Sequence, residues 1–148
     1  MKHCTTIQIA RFIISFSWLY HGLMPKLIHI APLEQQMTAS FGFNAEISTL
    51  ITRAAGIGEI IFAVLFFIFY RSILINILNI AALVGLMLFV AVLQPALLIE
   101  AFNPVTTNIA MIAFSLVLIK ELKAKPNNNA LFHQSWHLLK ASWHLFLR

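Results

Sequence analysis

The chain has 148 residues, of which 60% are hydrophobic and only 10% are charged. Soluble domains carry about 25% charged residues, so this composition excludes an ordinary water-soluble protein and leaves room for one membrane domain. A net charge of +5 would suggest nucleic acid binding in a soluble protein. Here the basic residues lie at the ends of apolar segments, so the expected partner is a lipid bilayer and not a nucleic acid.

Four apolar segments follow one another along the chain, at residues 7–24, 47–70, 73–93 and 104–119. A bilayer core is crossed by about 20 mostly apolar residues in a helix. The second segment holds only Arg53 and Glu59 as charged residues, and the third holds none. The sequence therefore predicts an all-α fold, a four-transmembrane-helix bundle formed by residues 1–125.

Helix breakers and capping residues separate these segments. Pro25 is expected to end or kink the first helix, because proline lacks an amide donor and clashes one turn back. Residues 26–46 are expected to form a loop on the membrane interface. Pro104 suits a first helical turn, and Asn103 or a neighbouring threonine is expected to cap it. The charged run that begins at Lys120 is expected to stop the fourth helix.

The distribution of lysine and arginine predicts that both termini are cytoplasmic. With that orientation eight basic residues lie inside and two outside, which follows the positive-inside rule. The outer pair is Lys26 and Arg53, and the inner set is Lys2, Arg11, Arg71, Lys120, Lys123, Lys125, Lys140 and Arg148.

Residues 126–148 form a separate tail with a seven-residue near-repeat. Its basic residues share one helical face and its leucines and phenylalanines the other, a pattern typical of a helix lying on a membrane surface. We therefore predict a C-terminal interfacial amphipathic helix. His133 and His137 have metal-ligand spacing but no third ligand nearby, so a surface anchor is favoured over a metal site or a partner-binding helix.

Glu59 is the strongest candidate for a functional residue, because it lies about midway along the second segment. An ionisable residue at that depth costs about 2.5–3.5 kcal/mol on insertion scales and marks a functional site by default. Glu59 shares a helical stripe with Gly56 and Ala63, so it is expected to face the bundle interior. It acts either as a buried packing carboxyl, protonated or paired with a cation, or as an acid that exchanges protons or contacts a ligand.

Polar groups of the first segment are expected to face Glu59. Arg11 approaches from one side of the membrane and Lys26 from the other, and the sequence leaves open which of them is the counter-charge. Together these groups predict a polar pocket. Its candidate residues are Glu59, Arg11, Trp18, Tyr20, His21, Lys26 and Arg53. No metal is expected there, and the single cysteine, Cys4, excludes a dithiol mechanism carried by this chain alone.

Three sequence blocks resemble the DoxX-like family of small four-helix membrane proteins. The blocks are Trp18-Leu19-Tyr20-His21-Gly22-Leu23-Met24-Pro25-Lys26 (with Arg11 before it and Glu34 after it), Ala55-Gly56-Ile57-Gly58-Glu59 and Asn103-Pro104-Val105-Thr106-Thr107-Asn108. Within them the structural residues are Gly22, Pro25, Gly56, Gly58, Asn103 and Pro104. The resemblance covers about residues 7–120. It implies the inner (cytoplasmic) membrane of a bacterium and an association with quinone-linked oxidoreductase complexes, including a thiosulfate:quinone oxidoreductase.

Three functions follow as alternatives. The first is an accessory or quinone/lipophile-contacting subunit of a membrane redox system, with quinone as the implied cofactor and none bound covalently. The second is a proton-coupled transporter of small lipophilic cations that uses Glu59. The third is a structural or assembly protein without activity. No self-contained catalytic constellation is present, so an enzymatic role is at most that of a subunit. The expected protein partner is a membrane redox partner or a second copy of the chain.

Overall fold

The computed structural model describes residues 5–100 and 103–124, which are helical almost throughout. The α-helices are α1 (Thr6–Leu23), α2 (Pro32–Ala39), α3 (Ala45–Phe69), α4 (Ile73–Leu93) and α5 (Pro104–Ala124). A π-helical turn (Met24–Ile28) follows α1, and a 3-10 turn (Pro95–Leu98) follows α4. These residues contain no strand, which confirms the all-α class. The predicted tail helix lies outside the described residues.

Three of the helices, α3, α4 and α5, are long and apolar enough to cross a membrane. The prediction of four spans is therefore confirmed for three and corrected for the first. The physical reason is composition, because α1 contains Gln8, Arg11 and His21 within only 18 residues. These polar groups lower its hydropathy although its length would suffice.

The connection between α1 and α3 is more ordered than the predicted loop. The α-helix α1 ends at Leu23, two residues before Pro25, and the chain continues in the π-helical turn, where the His29 amide donates to the Met24 carbonyl at 3.0 Å. The short helix α2 follows and packs against α3, where Gln35 donates a hydrogen bond to the Thr49 hydroxyl at 3.1 Å. The connection thus places polar side chains of α2 against α3.

Local signals explain where the long helices begin and end. The Asn44 side chain caps α3 by accepting from the Ile47 amide at 2.9 Å. Asn103 caps α5 as predicted, accepting from the Thr106 amide at 3.1 Å. The fourth apolar segment was predicted to end at residue 119, and α5 extends beyond it into the charged run, to Ala124. Lysine and glutamate are good helix formers, so this charged run limits the apolar segment and not the helix.

The core forms where α1 packs against both α3 and α5. α1 and α3 run antiparallel, because Arg11 near the start of α1 contacts Phe67 near the end of α3. α4 packs against α5, and α5 packs against α1. The buried apolar residues at the centre are Ala10, Ile14, Trp18, Ala63, Phe66, Tyr70, Leu83, Met111 and Leu118.

Candidate functional site

Two glycines set the distance between α1 and α3. A Cβ atom added to Gly22 would lie 2.6 Å from the Gly56 carbonyl oxygen, and one added to Gly56 would lie 2.7 Å from the Gly22 oxygen. Any side chain at either position would therefore push the two backbones apart. In this antiparallel crossing Gly22 packs beside Glu59 and Gly56 packs beside Lys26, so the Lys26 side chain extends along the seam between the helices to reach Glu59.

Lys26 lies between two carboxylates from different elements. Its ammonium donates a hydrogen bond to Glu59 Oε1 and lies 3.7 Å from Glu34 Oε1 of α2. We call these three residues the lysine cluster. The Lys26 side chain is only 8% exposed, and those of Glu34 and Glu59 are 23% and 13% exposed. Lys26, and not Arg11, is therefore the counter-charge of Glu59.

The lysine cluster has more acceptors than its cation satisfies. Glu59 Oε2 is buried and has no hydrogen-bond partner among the described residues. Burial raises the pKa of Glu34, the Lys26 ammonium opposes that rise, and the Glu59 carboxylate adds to it. Two carboxylates therefore share one ammonium in this cluster.

His21 belongs to the same neighbourhood. It is half-buried at the end of α1 and interacts electrostatically with both Glu59 and Lys26. Of the seven predicted pocket residues, the structure thus gathers Lys26, Glu59 and His21. Glu34 joins them from α2, and its position in a predicted loop gave no reason to expect it there.

Arg11, Tyr20 and Arg53 lie away from the lysine cluster. The Arg11 guanidinium donates to the Phe67 carbonyl at 2.9 Å and lies over the rings of Phe67 and Tyr70, at 3.7 and 4.6 Å from their centroids. Arg11 thus contacts residues near the end of α3 and does not face Glu59. Tyr20 and Arg53 are both exposed. Gly58 is also outside the site, because a Cβ there would meet no atom within 4 Å.

Trp18 belongs to a second buried network that ties three helices together. Its indole N–H donates to Asn79 Oδ1 of α4 at 2.6 Å, and Asn79 Nδ2 donates to the Ser115 hydroxyl of α5 at 2.8 Å. Asn79 and Ser115 are fully buried. Asn79 thus bonds across helices. Asn76 does not, because it bonds back to the carbonyls of Tyr70 and Ser72 at the turn before α4.

An apolar groove of about 250 Å³ lies between α1 and α3, on the side of the glycine crossing that leads toward the start of α1. We call it the α1–α3 groove. It is lined by Phe12, Ser15, Phe16, Leu19, Ala63, Val64 and Phe67. Ser15 is its one polar lining residue, and the buried Ser15 hydroxyl has no hydrogen-bond partner among the described residues. Ala63 lies one turn from Glu59 on α3, so the groove and the lysine cluster share one helix seam.

No group of three His, Cys, Asp or Glu side chains arranged for a metal ion occurs in residues 5–100 and 103–124. The α1–α3 groove offers aromatic rings and a hydroxyl for binding, and the lysine cluster offers charged groups.

Comparison with known proteins gives one match. A family model described as the DoxX-like family matches residues 15–116. No curated protein and no solved structure matches the sequence. The matched segment contains all three members of the lysine cluster and every groove residue except Phe12.

Proposed function

The chain belongs to the DoxX-like family, and from this premise we propose that it is an accessory subunit of a membrane redox system that contacts a quinone in the α1–α3 groove. The observation that supports the proposal is the buried Ser15 hydroxyl, which has no partner in the described residues and belongs to a groove that Phe12, Phe16 and Phe67 also line. Ligand sites in proteins combine an apolar lining with a few placed polar groups in this way.

The groove suits a quinone ring in size and chemistry. Its 250 Å³ lies just below the about 300 Å³ at which pockets begin to enclose drug-sized ligands, so it takes a ring and leaves an isoprenoid tail in the lipid. Aromatic side chains pack on such a ring by offset or edge contacts. The Ser15 hydroxyl can donate to a quinone carbonyl. A bound quinone would supply two-electron, two-proton redox chemistry, while this chain binds and orients it.

The proposal places α1 in the bilayer beside the three apolar helices. Its polar face packs on the bundle, whereas Phe12, Ile13 and Phe16 are exposed in the manner of lipid-facing residues. We further propose the inner membrane of a bacterium and cytoplasmic termini, supported by the basic residues counted above. Reporters fused after Arg148 and within residues 29–44 should then indicate opposite sides of the membrane, and reporters on the same side would contradict this topology.

Photolabelling tests the quinone site. An azido-quinone added to the full chain in proteoliposomes should label peptides of α1 and α3. Val64→Trp should block labelling, because Val64 is half exposed and lines the groove, so the indole fills it without disturbing the core. Leu65→Trp is the matched control, since Leu65 is also exposed but lies outside the groove. Equal labelling of both variants would refute the proposal.

A second candidate function is proton-coupled transport of small lipophilic cations through Glu59. It is favoured by one observation, the pair of carboxylates that share the Lys26 ammonium while Glu59 Oε2 lacks a partner. Release of Lys26 from Glu59 would present a carboxylate to a cationic substrate. Cells that express the protein should then resist lipophilic cations, and Glu59→Gln should abolish that resistance while Glu46→Gln, at an exposed position of the same helix, keeps it. Resistance that survives Glu59→Gln would exclude this function.

A further inference from the structure

Two arginines lie around one buried tyrosine, at the end of the bundle where α1 begins and α3 ends. The guanidinium carbon of Arg11 lies 4.6 Å from the centre of the Tyr70 ring, and that of Arg71 lies 5.5 Å from it. The two guanidinium carbons are therefore no more than 10.1 Å apart, which is the sum of these two distances. Tyr70 is only 7% exposed, so its ring is a fixed support for both cations. We call these three residues the arginine site.

The contacts of Arg11 fix the plane of its guanidinium and leave donors unused. Its Nε donates to the Phe67 carbonyl at 2.9 Å, and its Nη1 lies 3.5 Å from Gln8 Oε1. The group also lies over the Phe67 ring, 3.7 Å from its centroid, where cation–π attraction holds it. A guanidinium carries more N–H donors than these contacts use. Its outer edge therefore still has N–H groups to offer an anion.

The acidic residues of the chain do not neutralise these two arginines. There are five of them in the whole sequence, and the residues outside the described ranges contain none. Two belong to the lysine cluster, one lies at the beginning of α3, one precedes α5, and one is exposed near the end of α5. Both ion pairs formed by the described residues involve Lys26. In chain order the acidic residues are Glu34, Glu46, Glu59, Glu100 and Glu121. Both arginines are therefore available to an anion from outside the chain.

The position of the arginine site favours a lipid phosphate as that anion. Helices α3 and α4 are long and apolar enough to cross a bilayer, and Tyr70 and Arg71 lie in the short turn that joins them. Such a turn lies at the level of the lipid headgroups, where basic side chains bind anionic lipids. The ring of Phe12, more than half exposed, is centred 5.8 Å from the Arg11 guanidinium carbon. It offers an apolar surface to a lipid chain beside the two cations.

We propose that the arginine site binds the phosphate of an anionic phospholipid. The Arg11 guanidinium, oriented by Phe67 and Tyr70, donates to two phosphate oxygens, because its planar fork matches their spacing. Arg71 is exposed, so its side chain can change rotamer and add a second guanidinium to the same phosphate. A bound lipid would hold the α3–α4 turn against the beginning of α1. This inference goes beyond the proposed quinone contact, because it concerns a different ligand and neither arginine lines the α1–α3 groove.

Lipid binding to the full chain in detergent tests the site. Native mass spectrometry counts bound molecules of phosphatidylglycerol, which is anionic, and of phosphatidylcholine, which carries the same phosphate but is zwitterionic. The unchanged protein should bind one phosphatidylglycerol about tenfold more tightly than phosphatidylcholine. Arg71→Gln should lower the affinity for phosphatidylglycerol about tenfold, because it removes a charge together with its hydrogen bonds to the phosphate. Its melting temperature in lipid-free detergent should stay unchanged, since Arg71 is exposed.

Lys120→Gln is the matched control, because it removes one exposed positive charge near the end of α5 and leaves the arginine site intact. It should change the affinity for phosphatidylglycerol by less than about twofold, since a surface charge outside the site acts only through the screened field. Equal losses in Arg71→Gln and Lys120→Gln would overturn the site, because overall charge would then explain the binding. Equal affinities of the unchanged protein for the two lipids would also overturn it. Excess inorganic phosphate should leave the lipid bound, and complete displacement would mean that the site takes a free phosphate ion and not a lipid.

Discussion

The close contact of Gly22 with Gly56 gives a sharp test of how the site is built, through the change Gly56→Ala. The added methyl group would lie 2.7 Å from the Gly22 carbonyl oxygen and 2.8 Å from Lys26 Cβ. Ordinary contacts begin at 3.4 Å, so α1 must move away by about 0.7 Å, the difference between 3.4 and 2.7 Å. A change of rotamer cannot relieve the clash, because the atom that is struck belongs to the backbone.

The expected free-energy change combines two opposing effects. Overpacking of this kind costs about 1–3 kcal/mol, and a backbone clash falls at the upper end of that range. Replacing a helical glycine by alanine stabilises the helix by about 0.5–1 kcal/mol. Gly56→Ala should therefore lower the free energy of unfolding by about 2 kcal/mol.

Gly58→Ala provides the matched control two residues away. It carries the same gain in helix propensity, and its Cβ meets no atom within 4 Å. It should therefore be neutral or slightly stabilising, and the two variants should differ by about 3 kcal/mol, since the propensity effect cancels between them. The measurement is equilibrium unfolding of the two variants in the same mild detergent. A difference below about 0.5 kcal/mol would refute the argument that the glycine crossing holds α1 against α3.

Three further predictions concern the buried polar groups. Glu59→Gln should destabilise the protein by about 3–5 kcal/mol, because it removes the partner of a buried ammonium, and adding Lys26→Gln should partly restore stability in the same unfolding assay. Asn79→Ala should cost about 1–2 kcal/mol, because it breaks two interhelical hydrogen bonds. Because the pKa of Glu34 is raised by burial, the stability that it contributes should be present below about pH 4.5 and be lost as pH rises through the raised pKa, and Glu34→Gln should remove this pH dependence of the melting temperature.

Each of these predictions has a control and a contrary outcome. Glu46→Gln, which removes an exposed carboxylate of α3, should leave the free energy of unfolding unchanged. If Glu59→Gln also left it unchanged, Lys26 would have another partner in the variant. Leu78→Ala, at an exposed position of α4, should cost less than Asn79→Ala. For Glu34, stability that increases with pH in this range would contradict a raised pKa.

The apolar patterning of the sequence was sufficient to predict the helical class. A run such as residues 73–93 is accommodated in the hydrocarbon core of a membrane, where a helix satisfies its own backbone hydrogen bonds. The patterning also identified Glu59, since a carboxyl within such a run must be explained by its surroundings. The capping role of Asn103 was predictable for the same local reason, a side-chain acceptor placed directly before a helix. Residues 7–24 were predicted as a span equal to the others, but Gln8, Arg11 and His21 lower the hydropathy of α1.

The partner of Glu59 was decided only by the tertiary structure. In the sequence Arg11 and Lys26 were equivalent, since Arg11 was expected to approach Glu59 from one side of the membrane and Lys26 from the other. The glycine crossing fixes the antiparallel register, and that register carries Lys26 to Glu59 and Arg11 to the end of α3. Glu34 and Asn79 join their networks through contacts between helices that are distant in sequence. Hydropathy is a property of single residues and fixes which segments are helical, whereas the meeting of two side chains depends on how closely the backbones approach.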